Sequence, residues 1–119
     1  MATTQITVQD IVRTGLEATY SAAASGDGNV FDNSQKNTFV HIVNGGGSDC
    51  TITIHTPQVV DSDLAVADRT VVCTAGEERF IGPFTGSYEG NDADNSIERA
   101  VKLTYDQVTS VTLAVLRVP

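Results

Sequence analysis

Tryptophan is absent from this 119-residue chain, and methionine occurs only at its first position. Aromatic residues make up 6%, three Tyr and four Phe, which leaves little for the exposed aromatic platforms that carbohydrate-binding modules use. Lysine and arginine together number seven against fifteen acidic residues. The net charge of −8 and the pI near 4.4 argue against a nucleic-acid backbone as partner. The acidity reads as a solubility device rather than a recognition surface. No long apolar run is present: the most apolar stretch, residues 111–118, contains Arg117 and is far too short to span a bilayer. The opening residues lack the basic end and apolar core of a signal peptide, and no Asn-x-Ser/Thr sequon occurs. The expectation is a soluble protein made in a cytoplasm, with no membrane partner.

Cysteine is scarce as well. Cys50 and Cys73 could form one disulfide, but without an export signal they read as buried free thiols, each inside a β-branched run. Leu, Lys and Glu are sparse, whereas Thr, Val and Gly are frequent. That balance favours strands and turns over helices. The apolar fraction of 40% is enough for one core in a chain of single-domain length.

Residues 39–56 organise the rest. Two β-branched runs flank a loop of Asn, Gly, Ser and Asp, types that tolerate the positive φ angles of a tight reversal. In the second run, Ile52 and Ile54 share one face while Thr51, Thr53 and His55 share the other. The first run is apolar on both faces, which predicts the more central strand of a hairpin.

Earlier in the chain, Ile6 and Val8 alternate within a polar, β-prone segment. Residues 1–15 read as an N-terminal arm or edge segment, and 16–119 as the sandwich domain. Asp10 to Gly15 predicts a single helical turn, with Asp10 as cap and Gly15 as stop. Residues 16–20 alternate as a strand would. A longer amphipathic helix over residues 9–24 is the other reading, with Gly15 against it. Val30 and Phe31 plug the core. Pro57 ends the second organising strand, and an irregular connection follows in which Val59, Val60, Leu64 and Val66 lie against the body of the fold. Residues 70–74 and 79–84 are strands, with Phe80 and Ile81 on opposite faces and Gly82-Pro83 at a sheet edge or corner. Residues 85–95 read as a polar loop. Residues 96–105 place Ile97, Val101, Leu103 and Tyr105 inward, with Arg99 the exception on that face. The last strand puts Val111, Leu113 and Val115 on one face.

About seven strands with turn signals every eight to twelve residues predict a single-domain antiparallel β-sandwich, jelly-roll-like, with at most a short N-terminal helical turn.

Chemistry is thin. His41 and His55 could face each other across the hairpin, but nothing local supplies a third metal ligand. Asp92-Ala-Asp94-Asn-Ser96 starts like a calcium loop and then fails, since Ile97 stands where Gly is needed and Leu103 where Glu is needed. Asp61 and Asp63 are equally incomplete. No nucleophile elbow exists, neither cysteine has an activating neighbour, and Gly45-Gly46-Gly47 lacks the Lys and the helix of a phosphate loop. The reading is therefore not an enzyme, with no cofactor and no metal.

Four segments taken in order carry a resemblance: 38–45 (Thr-Phe-Val-His-Ile-Val-Asn-Gly), 64–72 (Leu-Ala-Val-Ala-Asp-Arg-Thr-Val-Val), 75–84 (Ala-Gly-Glu-Glu-Arg-Phe-Ile-Gly-Pro-Phe) and 108–117 (Val-Thr-Ser-Val-Thr-Leu-Ala-Val-Leu-Arg). Their strand and turn pattern resembles the small β-sandwich decoration or cement proteins of tailed bacteriophages, over roughly residues 16–118. The resemblance implies a non-enzymatic virion structural protein on the capsid surface, binding the major capsid protein as a homo-oligomer, preferably a trimer. It carries no family binding residue with it. A tail or head-completion protein, and a carbohydrate-binding β-sandwich module, are the alternatives. Candidate partner-binding residues read from the chain itself are Ile6 and Val8 on the arm, Val59, Val60 and Leu64 on the connection, and Phe84 at the broken strand end. The arm is expected to be mobile in the free protein, or else to be an edge strand of its own sandwich.

Overall fold

A computed structural model describes residues 3–119. Strands hold 48% of the described residues, so the all-β sandwich expected from composition is the fold. In chain order the strands are β1 (Thr4–Gln5), β2 (Val8–Asp10), β3 (Ser21–Ala22), β4 (Asn29–Asp32), β5 (Thr38–Asn44), β6 (Cys50–Ile54), β7 (Val59–Val60), β8 (Leu64–Ala65), β9 (Arg69–Cys73), β10 (Glu78–Ile81), β11 (Glu89–Asp92), β12 (Ile97–Tyr105) and β13 (Val111–Arg117). Sheet A runs β1-β4-β12-β6-β9, with β11 also paired to β12. Sheet B runs β10-β5-β13-β2, with β3 also on β13. A small ribbon, β7-β8, stands apart from both.

Alternation decides which face of each strand is inside. In β5, Thr38, Val40, Ile42 and Asn44 are buried while Phe39, His41 and Val43 are half-buried. In β6, Cys50, Ile52 and Ile54 point inward. These meet Phe31, Val101, Leu103, Val111, Leu113 and Val115 in one core between the sheets. Each such side chain contributes roughly 1.5–3 kcal/mol on burial.

The expected hairpin over residues 39–56 does not form. β5 belongs to sheet B and β6 to sheet A, so the glycine-rich loop is an arch that crosses the core. Both strands have one strongly apolar face, and stacking those faces buries both, which side-by-side pairing alone would not do. As expected, β5 is an interior strand, flanked by β10 and β13. His41, on β5 of sheet B, and His55, just past the end of β6 of sheet A, consequently do not face each other.

The sheets are mixed rather than wholly antiparallel. β1 pairs with β4, and β2 with β13, both in parallel. The chain passes from sheet A to sheet B at Ile6, whose amide donates to the Val30 carbonyl (2.8 Å) and whose side chain is 5% exposed. The N-terminal segment is thus an edge element shared by both sheets.

Three further expectations change. The predicted helical turn at 10–15 is a plain turn, closed by the Gly15 amide on the Val12 carbonyl. Residues 16–20 pair with no strand, because β2 and β3 already occupy that edge of β13. The Gln9 side chain instead clasps Thr19, accepting from its amide (2.9 Å) and donating to its carbonyl (2.8 Å). Within the polar loop at 85–95 lie a 3-10 turn (Gly86–Tyr88) and β11. A register irregularity between Gly90 and Asp92 turns Ile97 away from Val101, and it packs with Val30 and Ala100 in a second, smaller cluster.

Gly28 shows how tightly β4 approaches β12. Its φ is +78°, and a Cβ there would lie 2.0 Å from the Leu103 carbonyl oxygen.

Candidate functional site

One feature that the core leaves unused is aromatic. On β5 and β10, Phe39, His41 and Phe80 project from the outer face of sheet B. His41 and Phe80 are direct cross-strand partners, and their rings stack with centroids 4.2 Å apart and planes 5° from parallel. Phe39 lies 6.2 Å from Phe80. Tyr20 meets His41 edge-on at 5.5 Å, and its hydroxyl is hydrogen-bonded to Nδ1. Glu78 places a carboxylate oxygen 3.2 Å from Nε2 of the same ring. Phe80 nonetheless remains 66% exposed. At the end of this row a groove of about 640 Å³ is lined by Phe39, Phe80, Gly82, Pro83 and Val118. β10 is the outermost strand of sheet B, as the Gly82-Pro83 break predicts, so the patch adjoins an unpaired edge.

The six candidate residues divide evenly. Val59, Val60 and Leu64 form the β7-β8 ribbon, each about half exposed, with Val60 opposite Leu64. They do not close the sandwich. Ile6 and Phe84 are buried, and Val8 is half-buried against the core. Phe84 packs on Phe31 (5.4 Å) and Tyr88 (5.6 Å). For Ile6, Val8 and Phe84 the partner-facing expectation is therefore corrected: each is held by the protein's own core. Phe80 and Tyr20 replace them as exposed aromatic groups, backed by the half-buried Phe39 and His41. The opposed faces of Phe80 and Ile81 were the sequence signal for this patch.

A polar groove of about 460 Å³ crosses the outside of sheet A. His55, Asp68, Asn91, Asp94, Lys102 and Tyr88 line it. His55 is fixed from two sides, Nδ1 3.4 Å from Asp68 Oδ2 and Nε2 2.9 Å from Thr104 Oγ1. Asp68 also accepts from the Thr56 amide (2.9 Å) and hydroxyl (3.1 Å). The amide bond, the hydroxyl and the neighbouring His55 lower its pKa against a smaller opposing effect of burial.

A group with a depressed folded-state pKa stabilises above its unfolded value and loses that contribution as pH falls. Asp68→Asn is therefore expected to cost up to about 1 kcal/mol at pH 7, Asp68 being well exposed to solvent. The gap from the unsubstituted protein should narrow as pH falls below the ordinary carboxylate value of 3.8 and through the lowered folded-state value. Urea melts at pH 7 and pH 3 check this, and a gap as large at pH 3 as at pH 7 contradicts the assignment.

The calcium-like run is spent on structure. Asp92 accepts from the Thr3 hydroxyl (2.9 and 3.1 Å) and from Asn95 (2.8 Å), which ties the chain start to the β11-β12 turn. Among the described residues no group of three His, Cys, Asp or Glu is placed to hold a metal. Glu89, a member of the unpredicted β11, is buried, paired with Lys36 and 3.6 Å from Arg99. Asn33 also donates to it (2.7 Å). Those partners compensate the charge of an acid buried where β11 joins β12.

Comparison with known proteins finds no protein family, no curated protein and no solved structure that matches this chain.

Proposed function

We propose that this chain is a non-enzymatic virion structural protein that binds the outside of a tailed-phage capsid as a decoration or cement protein. The observation that carries the reading is the aromatic row Phe39–His41–Phe80 beside the open edge of sheet B. An exposed Phe80 on a base of half-buried Phe39 and His41, on a small acidic domain, is surface that a protein partner would cover. The ribbon of Val59, Val60 and Leu64 offers a second apolar contact. A trimer would present each patch three times, and several weak contacts acting together hold where one does not. On this reading the partner is the major capsid protein, and the chain is made in the host bacterial cytoplasm.

The test mixes the purified chain with shells of its source phage that lack it, and follows co-sedimentation. The expected result is saturable binding by the unsubstituted chain and at least a tenfold weaker binding by Phe80→Ser. The exposed position of Phe80 should limit the stability loss to about 1 kcal/mol, the scale of one cross-strand ring pair. Sedimentation equilibrium should show a trimer. No binding by either form removes the reading, and equal binding by both removes the aromatic row as the contact. Binding to tails or connectors in place of shells would assign a tail or head-completion role instead. The polar groove on sheet A favours a second reading, a ligand-binding module, which a saccharide-dependent rise in melting temperature would support.

A further inference from the structure

Cys50 and Cys73 are direct cross-strand partners at the first residue of β6 and the last of β9. Both are free, and neither has any solvent exposure. Residues opposite each other in an antiparallel pair have Cα atoms about 4.5–5.5 Å apart, within the roughly 4.4–6.8 Å that a disulfide spans. Each thiol is now turned to a loop carbonyl, Cys50 donating to Gln107 (3.2 Å) and Cys73 to Glu77 (3.4 Å). These are weak bonds, readily given up. We propose that the pair is a redox-closable staple, open in a reducing cytoplasm and closed by a small-molecule disulfide outside it.

The closing step balances as thiol–disulfide exchange. One cysteine thiolate attacks a sulfur of the oxidant and releases the first small thiol. The second cysteine then attacks the mixed disulfide and releases the other. The protein loses two hydrogens and two electrons, and the oxidant is reduced to two thiols. β9 is the outermost strand of sheet A, so the bond ties a free edge to an interior strand. Burial, with Asp106 nearby, pushes the Cys50 thiol up to about 11, so little thiolate exists at neutral pH. Reaction therefore awaits transient opening of the β9 edge, which makes the staple slow to close and slow to be reduced. On a shell it would harden the protein after release from the cell, a timing that rests on the function proposed above.

The experiment incubates the reduced full chain with oxidised glutathione at pH 8, a few degrees below its melting temperature, then quenches by alkylation in denaturant. Expected are one intramolecular Cys50–Cys73 bond by mass mapping and a melting temperature raised by roughly ten degrees, reversed by reductant. Cys50→Ala and Cys73→Ala, each checked for native circular dichroism, should lose that rise. Persistent glutathione adducts, crosslinked dimers, two alkylatable thiols, or a bond that fails to raise the melting temperature would each overturn the staple. No shell is present, so failure here leaves the capsid reading untouched, and failure of shell binding leaves the staple untouched.

Discussion

Removing residues 1–9 should abolish folding or lower the melting temperature by tens of degrees. The segment supplies one strand to each sheet, β1 along β4 and β2 along β13. Between them Ile6 fills the core, and truncating a buried Ile alone costs about 2–5 kcal/mol. Deletion also strips three ties. Thr3 no longer holds Asp92, Gln9 no longer clasps Thr19, and Asn29 loses the Thr4 carbonyl that its side chain bonds at 3.2 Å. Summed against the typical 5–15 kcal/mol of a small domain, the loss takes most of the stability. Circular dichroism melts of the shortened chain decide it. If it melts like the full chain and fails only to bind shells, the segment is a docking arm and the core assignment of Ile6 is wrong. The physics favours the fold, because a strand that buries Ile6 and satisfies both sheet edges has little to gain by leaving.

Where strands lie was legible in this chain, while how they pair was not. β5, β9, β10, β12 and β13 stand close to where alternation and turn residues place them. Periodicity reports which face of a strand is buried, and it is silent about whether the next strand lies beside it or across the core. Residues 44–49 suit a hairpin and an arch equally. The choice is made by distant groups such as Ser110 and Glu77, whose carbonyls receive the Gly45 and Asn44 amides.

β11 escaped for a different reason. Its Glu-Gly-Asn-Asp sequence has low strand propensity and is recruited by the backbone of β12. Residues 16–20 show the reverse, an alternating pattern with no edge left to join. The candidate surface was half legible. The Phe80–Ile81 alternation exposes Phe80, but its stacking on His41 depends on the register between β10 and β5. Ile6 and Phe84 misled because an apolar residue in a polar segment suits a core plug as well as a contact.

The arch itself supplies the second large expected effect. Asn44 is fully buried at its entrance, and its side chain makes three hydrogen bonds. Nδ2 donates to the Ser48 carbonyl (2.7 Å) and the Cys73 carbonyl (3.0 Å), while Oδ1 accepts from the Gly46 amide (3.1 Å). One residue of sheet B thereby fixes both the loop and the end of β9 in sheet A. Gly46 must pass closely here, since a Cβ would sit 2.9 Å from the Thr109 carbonyl oxygen. Asn44→Ala removes all three hydrogen bonds at once. Only the Cys73 carbonyl is left buried and unpaired, since Ser48 is exposed with its carbonyl still accepting from Gln107 (3.3 Å), and Gly46 is half-buried. With about 1–3 kcal/mol for each buried orphan, the total should reach about 2–3 kcal/mol. Asn44→Asp should be no better. It keeps the acceptor for Gly46 but turns a charge toward the Ser48 and Cys73 carbonyls. Denaturant melts of both variants, with Asn91→Ala on the outer groove as a near-neutral control, measure the difference. A cost below about 1 kcal/mol for Asn44→Ala would mean that the arch is held by strand packing alone.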